Sequence, residues 1–169
     1  MKIVFCRIGW AKYYRGDSDD IPRNGGSYND NPQNIGFETY NFKNYNGKYY
    51  GYVKMDRKKS IRIERIDRCS AIDKSIDNVT VVWVADNRIV GWYKNAIVFR
   101  KYEPIPAEII QERYLKDHDI YNVYSETAVL LREDERTFKV DKMGRSNIWY
   151  DEDNVLKDEV LKYINDYVS

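Results

Sequence analysis

Four tryptophans in this 169-residue chain stand beside small or polar neighbours. They occur in Ile8-Gly9-Trp10-Ala11, Val82-Trp83-Val84-Ala85, Val90-Gly91-Trp92-Tyr93-Lys94-Asn95 and Ser146-Asn147-Ile148-Trp149-Tyr150. A glycine next to an aromatic ring lets a flat ligand, or another backbone, come close. An Asn amide offers a donor and an acceptor together, which suits the edge of a nucleobase. Holding an extruded base takes stacking rings, a few such amides and a basic track for phosphates. The candidate rings are Trp10, Tyr28, Trp83, Trp92 and Trp149, with Asn95 and Asn147 as candidate edge readers. Trp83 and Trp92 also lie in the most apolar segments, where an indole serves equally well as core.

The basic track has a candidate too. Lys54 to Arg68 carries seven basic and three acidic side chains. Arg57, Lys58, Lys59 and Arg62 are the phosphate-facing candidates there. A solvated strand edge guarded by lysines has the same composition, so both readings stand. Arg23 opens the run Arg23-Asn24-Gly25-Gly26-Ser27-Tyr28, in which consecutive amides of a glycine turn suit an anion. The formal net charge is only +1, but its distribution is uneven. Residues 1–68 hold 14 Lys/Arg and 8 Asp/Glu, whereas residues 108–169 hold 9 and 15. That polarity orients a molecule toward a charged partner.

Other chemistries find less support. The single histidine, His118, has no evident Ser or Cys partner for nucleophilic catalysis. No phosphate-binding loop, dinucleotide fingerprint, zinc motif or calcium loop occurs. Asp17, Asp19 and Asp20 read as a solvated loop, and Asp151, Glu152 and Asp153 as a helix N-terminus complementing its dipole. The reading is therefore of a protein without catalytic residues, cofactor or metal. Two alternatives remain open. One is a metal-dependent enzyme acting on a nucleotide or RNA through Asp17 and Asp19. The other is a protein-interaction module using the face supplied by sixteen tyrosines.

The elements that position these residues are mostly strands. A chain of 20.2 kDa with 43% hydrophobic and 33% charged residues suits one domain over residues 1–169. No run of 18 apolar residues is present, the N-terminus lacks a secretory pattern, and two cysteines make no scaffold. A cytoplasmic, reduced protein that does not enter membranes is expected. Strands are predicted over 2–8, 37–42, 48–55, 60–66, 79–85, 89–93, 96–100, 120–124 and 127–132, with a further short one at Thr137-Phe138-Lys139-Val140. Asn46-Gly47, Asp86-Asn87 and Lys94-Asn95 are the predicted turns. Helices are predicted over about 107–118 and about 152–168, the second capped by Asp151 or Asp153. The fold class is α+β: a curled, mostly antiparallel sheet or partial barrel with two or three flanking helices.

The segments GWAKYYRGD, NGGSY, YNFKNYNGKYYGYV, VVWVADNRIVGWYKNAIVFR, LLREDERTF and GRSNIWY together resemble an N-terminal module of bacterial restriction-type proteins. Their order is similar to that of the PUA superfamily, which includes the EVE, YTH and ASCH domains. The resemblance covers most of the chain. It implies a PUA-like curled sheet with flanking helices. It further implies recognition of a modified base in double-stranded DNA, such as N6-methyladenine or a 5-substituted cytosine, flipped into an aromatic pocket. A nuclease domain or subunit of a restriction or defence system is the implied partner.

Overall fold

The computed structural model describes residues 1–24, 36–55, 60–113, 119–152, 154 and 156–168. Seven strands form one open, mixed sheet: β1 (Lys2–Arg7), β2 (Tyr49–Gly51), β3 (Ser75–Ala85), β4 (Arg88–Pro104), β5 (Ile120–Ser125), β6 (Thr127–Leu130) and β7 (Ile148–Trp149). Their spatial order is β2-β5-β4-β3-β1-β7, with β6 beside β4. One helix, α1 (Lys157–Asp166), packs on the sheet. The architecture is thus α+β, with one helix among the described residues rather than two or three, and with a sheet that does not close.

The β3–β4 hairpin is the centre. The apolar run Val79-Thr80-Val81-Val82-Trp83-Val84-Ala85 is β-branched on both faces, as a strand covered on both sides must be. Ala85 pairs with Arg88, and the two residues between them, Asp86 and Asn87, have φ of 48° and 57°. Positive φ at both central positions is the type I′ turn, whose twist matches that of its strands. The predicted turn at Lys94-Asn95 is instead a bulge inside the single strand β4. Val79 faces Ala96 and Val81 faces Tyr93, so Lys94 and Asn95 together oppose Thr80, and Asn95 takes the left-handed conformation (φ 50°). Asn78 (φ 55°) does the same on β3. A turn and a bulge call on the same residue type, which is why the sequence pattern does not separate them.

Strand alternation sends residues to two cores. Val4, Cys6, Val81, Trp83 and Tyr93 pack on one face beneath Ile8, Tyr14, Phe42, Val53, Ile61 and Ile63. Phe5, Val82, Val84 and Trp92 pack on the other beneath Leu131, Val140, Met143 and the Val160, Leu161 and Ile164 stripe of α1. Asp151 caps that helix: its Oδ2 accepts the N–H groups of Leu156 and Lys157 at 2.9 and 2.7 Å.

Several predicted elements take other forms. The strand expected over 37–42 is a 3-10 turn at Phe37–Tyr40, and the one over 60–66 is a 3-10 turn at Ile63–Arg65. In both, burial comes from packing onto the sheet rather than from pairing within it, alternating over 60–66 and continuous over 38–42. Of the helix expected over 107–118, residues 107–113 hold only a 3-10 turn at Ile110–Glu112, and 114–118 lie outside the described residues. The strand expected at Thr137–Val140 reduces to a single bridge between Arg88 and Lys139. The Asn46-Gly47 turn is present, with both residues at positive φ, between Tyr45 and Lys48.

Two buried arginines tie the loops to this sheet. Arg136, 1% exposed, donates to the carbonyls of Leu131, Ala11 and Lys12 at 3.1, 2.7 and 2.8 Å. Its guanidinium lies 4.7 Å from the centre of the Trp10 ring. Arg113 meets Asp119 through two hydrogen bonds, both side chains fully buried, and lies 4.0 Å from the centre of the Tyr40 ring. A pair of this kind is geometrically exacting, because removing either member strands the other charge in the interior.

Buried tyrosines make stability pH-dependent. Burial raises the hydroxyls of Tyr14 and Tyr93 above the ordinary range and pushes Tyr45 and Tyr121 up to about 12. In the unfolded chain all four titrate near ~10. Stability is therefore intact below that pH and is lost as pH rises through the folded values, because the unfolded chain releases its protons first. The urea midpoint is expected to be flat from about pH 7 to 9 and to fall steeply above about pH 10. A midpoint unchanged at high pH contradicts this account.

Candidate nucleic-acid interface

The sheet does not gather the four tryptophans into one place. Trp83 and Trp92 are 0% and 1% exposed and sit on opposite faces. Trp83 packs edge-on against Tyr93 (5.2 Å), and Trp92 against Tyr163 and Tyr167 of the α1 region (6.0 and 5.2 Å). Gly91 serves this packing. A Cβ there would lie 2.4 Å from the Val129 carbonyl oxygen and 2.7 Å from the Phe42 ring, so its missing side chain admits protein. Gly9 is similar, with the Arg23 backbone 2.8 Å from where its Cβ would be. Trp10 is half-buried. Its backbone pairs with that of Arg23, and its indole N–H donates to Glu133 at 3.1 Å. Arg23 and Asn95 are exposed. Tyr28, Arg57, Lys58, Lys59 and His118 lie outside the described residues.

Three of the sequence candidates do meet, at the β7 edge. β7 pairs with β1, Phe5 opposite Trp149 and Cys6 opposite Ile148. The Asn147 carbonyl accepts the Arg7 N–H at 2.7 Å, extending that edge. Trp149 is half-buried, its ring 5.1 Å from Phe5. Alternation turns the next residue, Tyr150, to the other face, where its hydroxyl accepts the Arg62 N–H at 2.9 Å. The Arg65 guanidinium lies 4.4 Å from the centre of the same ring. Arg62 and Arg65 are thereby fastened beside β7, which bears Trp149 and is preceded by Asn147.

Charge at this edge is not balanced. Among the described residues, the nearby carboxylates are already engaged. Glu64 pairs with Arg100 (2.7 Å), Glu152 with Arg65 (2.6 Å) and Asp67 with Lys2 (3.7 Å), and Asp151 caps α1. Hydrogen bonds from its own backbone and from Arg100 hold the Glu64 carboxyl below its usual value. Arg62, Arg68 and Arg145 are exposed and make no ion pair among the described residues. Arg145 and Tyr150 are five residues apart, so the edge spans at most about 18 Å between them. Arg65, Arg145 and Tyr150 escaped the sequence reading. The lone signal for them was their nearness in sequence to Arg62 and Trp149.

No group of three or more metal-binding side chains occurs among the described residues. Asp20 spends its carboxylate on the amides of Lys12, Tyr13 and Tyr14 (2.6, 2.7 and 2.9 Å). Burial pushes the Cys6 thiol up, so it stays protonated and unreactive at neutral pH. Comparison with family models, with curated proteins and with solved structures returned no match.

The Tyr150 hydroxyl holds the basic segment in place. Tyr150→Phe removes an acceptor from the Arg62 N–H, and the expected loss of stability is about 1 kcal/mol. Urea denaturation checks it, and wild-type stability would assign the docking to ring packing alone.

Proposed function

We propose that this chain is a nucleic-acid-binding specificity module whose phosphate contacts run along the β7 edge. One observation carries the reading: Arg62 and Arg65 are held at Tyr150 beside β7 while the carboxylates there are engaged elsewhere, leaving Arg62, Arg68 and Arg145 without an ion pair among the described residues. Arginine suits phosphate because its planar fork donates two parallel hydrogen bonds. In this reading Trp149 stacks on an extruded base and Asn147 reads its edge. Stacking is worth roughly 1–3 kcal/mol per base, which offsets much of the cost of extrusion. Discrimination of a modified base rests on fit to an added methyl or hydroxymethyl, worth about 1–3 kcal/mol in a close-fitting site. A nuclease domain or subunit of a restriction or defence system is the partner this function calls for.

No helix among the described residues is long and apolar enough to cross a membrane. The proposal is tested by fluorescence anisotropy on matched duplexes that are unmodified or carry N6-methyladenine, 5-methylcytosine or 5-hydroxymethylcytosine. With three arginines on phosphates, log K against log salt should slope at about −2.7. Single alanine variants of Arg62, Arg68 and Arg145 should each flatten that slope by about one unit. Trp149→Ala, checked for folding by circular dichroism, should erase preference for the modified duplex. Absence of binding at low salt overturns the proposal.

A further inference from the structure

The sheet has a second open edge, on the side away from β7. β5 and β6 run end to end along one side of β4. β2 covers β5 as far as the Tyr49–Ser125 pair and then turns away. Beyond that pair, β6 has β4 as its partner strand and no other among the described residues. The Leu131 N–H donates to the Val90 carbonyl at 2.9 Å. Residue 131 is thus a bonded position opposite 90, and two residues along so is Val129 opposite Trp92. Ala128 and Leu130 occupy the alternate positions. Their N–H and C=O groups point away from β4 and have no hydrogen-bond partner among the described residues.

This edge lies in a recess. Leu130 lines two adjoining grooves of about 580 and 550 Å³ that meet at Leu130 and Arg15, and Ala128 lines the second. Lys12, Tyr13 and Arg15 stand on one side and Lys43 and Tyr49 on another. Tyr13 is 40% exposed, with the Lys12 ammonium and the Arg15 guanidinium each 5.0 Å from its ring centre. The wall is preorganised. Asp20 holds three consecutive amides of the loop from one side, and Arg136 holds the carbonyls of Ala11 and Lys12 from the other. Lys12 and Arg15 make no ion pair among the described residues. Of the acids that line the grooves, Asp134 pairs with Arg132, while Glu133, which accepts the neutral Trp10 indole N–H, and Asp17 stand against Lys12, Arg15 and Lys43. The lining side chains of the recess thus carry one more positive than negative charge.

We propose that this edge binds a short, extended, acidic segment of a partner protein as an added strand. Ala128 and Leu130 repeat their donor and acceptor every two residues, about 6.8 Å, which is the repeat of a peptide strand itself. An added strand is the ligand that meets both pairs at once. Its alternate side chains fall on the side of Ala128 and Leu130, the side on which Tyr14, Phe42 and Tyr49 pack. Lys12 and Arg15 rise there, with Lys43 beside them, its ammonium bonded to the Glu112 carbonyl at 2.6 Å, so acidic residues belong at every second position. The site is independent of the β7 edge, and neither proposal depends on the other.

The test uses the full chain and a capped octapeptide alternating Glu with Val, against a counterpart alternating Lys with Val. Amide shifts are followed by NMR. The Glu peptide should shift the Ala128 and Leu130 amides most and bind at least tenfold more tightly than the Lys peptide. Ala128→Pro deletes an outward N–H that the sheet does not use and should weaken binding tenfold or more. If that variant misfolds, Lys12→Glu with Arg15→Glu gives the same readout through charge. Equal binding of the two peptides, or no shift at Ala128 and Leu130, overturns the proposal. So does self-association through these amides without peptide, or an oligonucleotide that shifts them in the peptide's place.

Discussion

Everything in this molecule is registered against the pairing of β3 with β4. A two-residue turn of the right hand starts that pairing at Asp86-Asn87. Two left-handed asparagines, Asn78 and Asn95, then break its regularity. Asparagine tolerates this conformation because its short polar side chain bonds locally. Each bulge adds a residue on one side of the ladder, which bends the strand and increases its twist. β4 is consequently long enough, and bent enough, to carry β6 near the hairpin end and β5 beyond it.

The sheet is covered on both faces, and this decides where recognition is left to occur. Loops and 3-10 turns cover one face and α1 covers the other, so most large aromatics are spent as packing. Trp83 and Trp92 show this, buried back to back across the sheet. What remains available is the two edges. At β7 the surplus is side-chain charge, and at β6 it is main-chain hydrogen-bonding capacity. The buried arginines bear on the second. Arg136 meets three carbonyls and no carboxylate, so it fixes the 11–12 loop beside β6. Burial lowers its affinity for its proton, yet a guanidinium stays charged at neutral pH.

The strands of the central hairpin and its turn were legible because β-branched runs and Asp-Asn pairs have few other solutions. Asn95 was legible as a left-handed position but not as a bulge, since that depends on what lies opposite. The alternation in residues 60–66 was real, with Ile61 and Ile63 fully buried. It reflects docking of a 3-10 turn, which local periodicity does not distinguish from a strand. Arg62, Asn147 and Trp149 were each singled out by residue type. That they share an edge was not readable, because β1 and Tyr150 bring them together from distant parts of the chain. Nothing local in the sequence marks Tyr13, among sixteen tyrosines, as exposed.

The place of β1 has a consequence for how the chain reaches this structure. It precedes the other described strands in the chain, yet it lies inside the sheet, between β3 and β7. Lys2 meets Val79 in parallel, and Cys6 meets Ile148. On a ribosome, the hairpin of β3 and β4 can form from local contacts soon after it emerges. The apolar stretch Ile3-Val4-Phe5-Cys6 must wait for that hairpin, and its second neighbour, β7, is the last of the described strands to be made. Contacts this distant in sequence slow folding and leave early segments open to aggregation. Among the described strands, β1 is therefore the one that stays longest unprotected, and the one most in need of a chaperone.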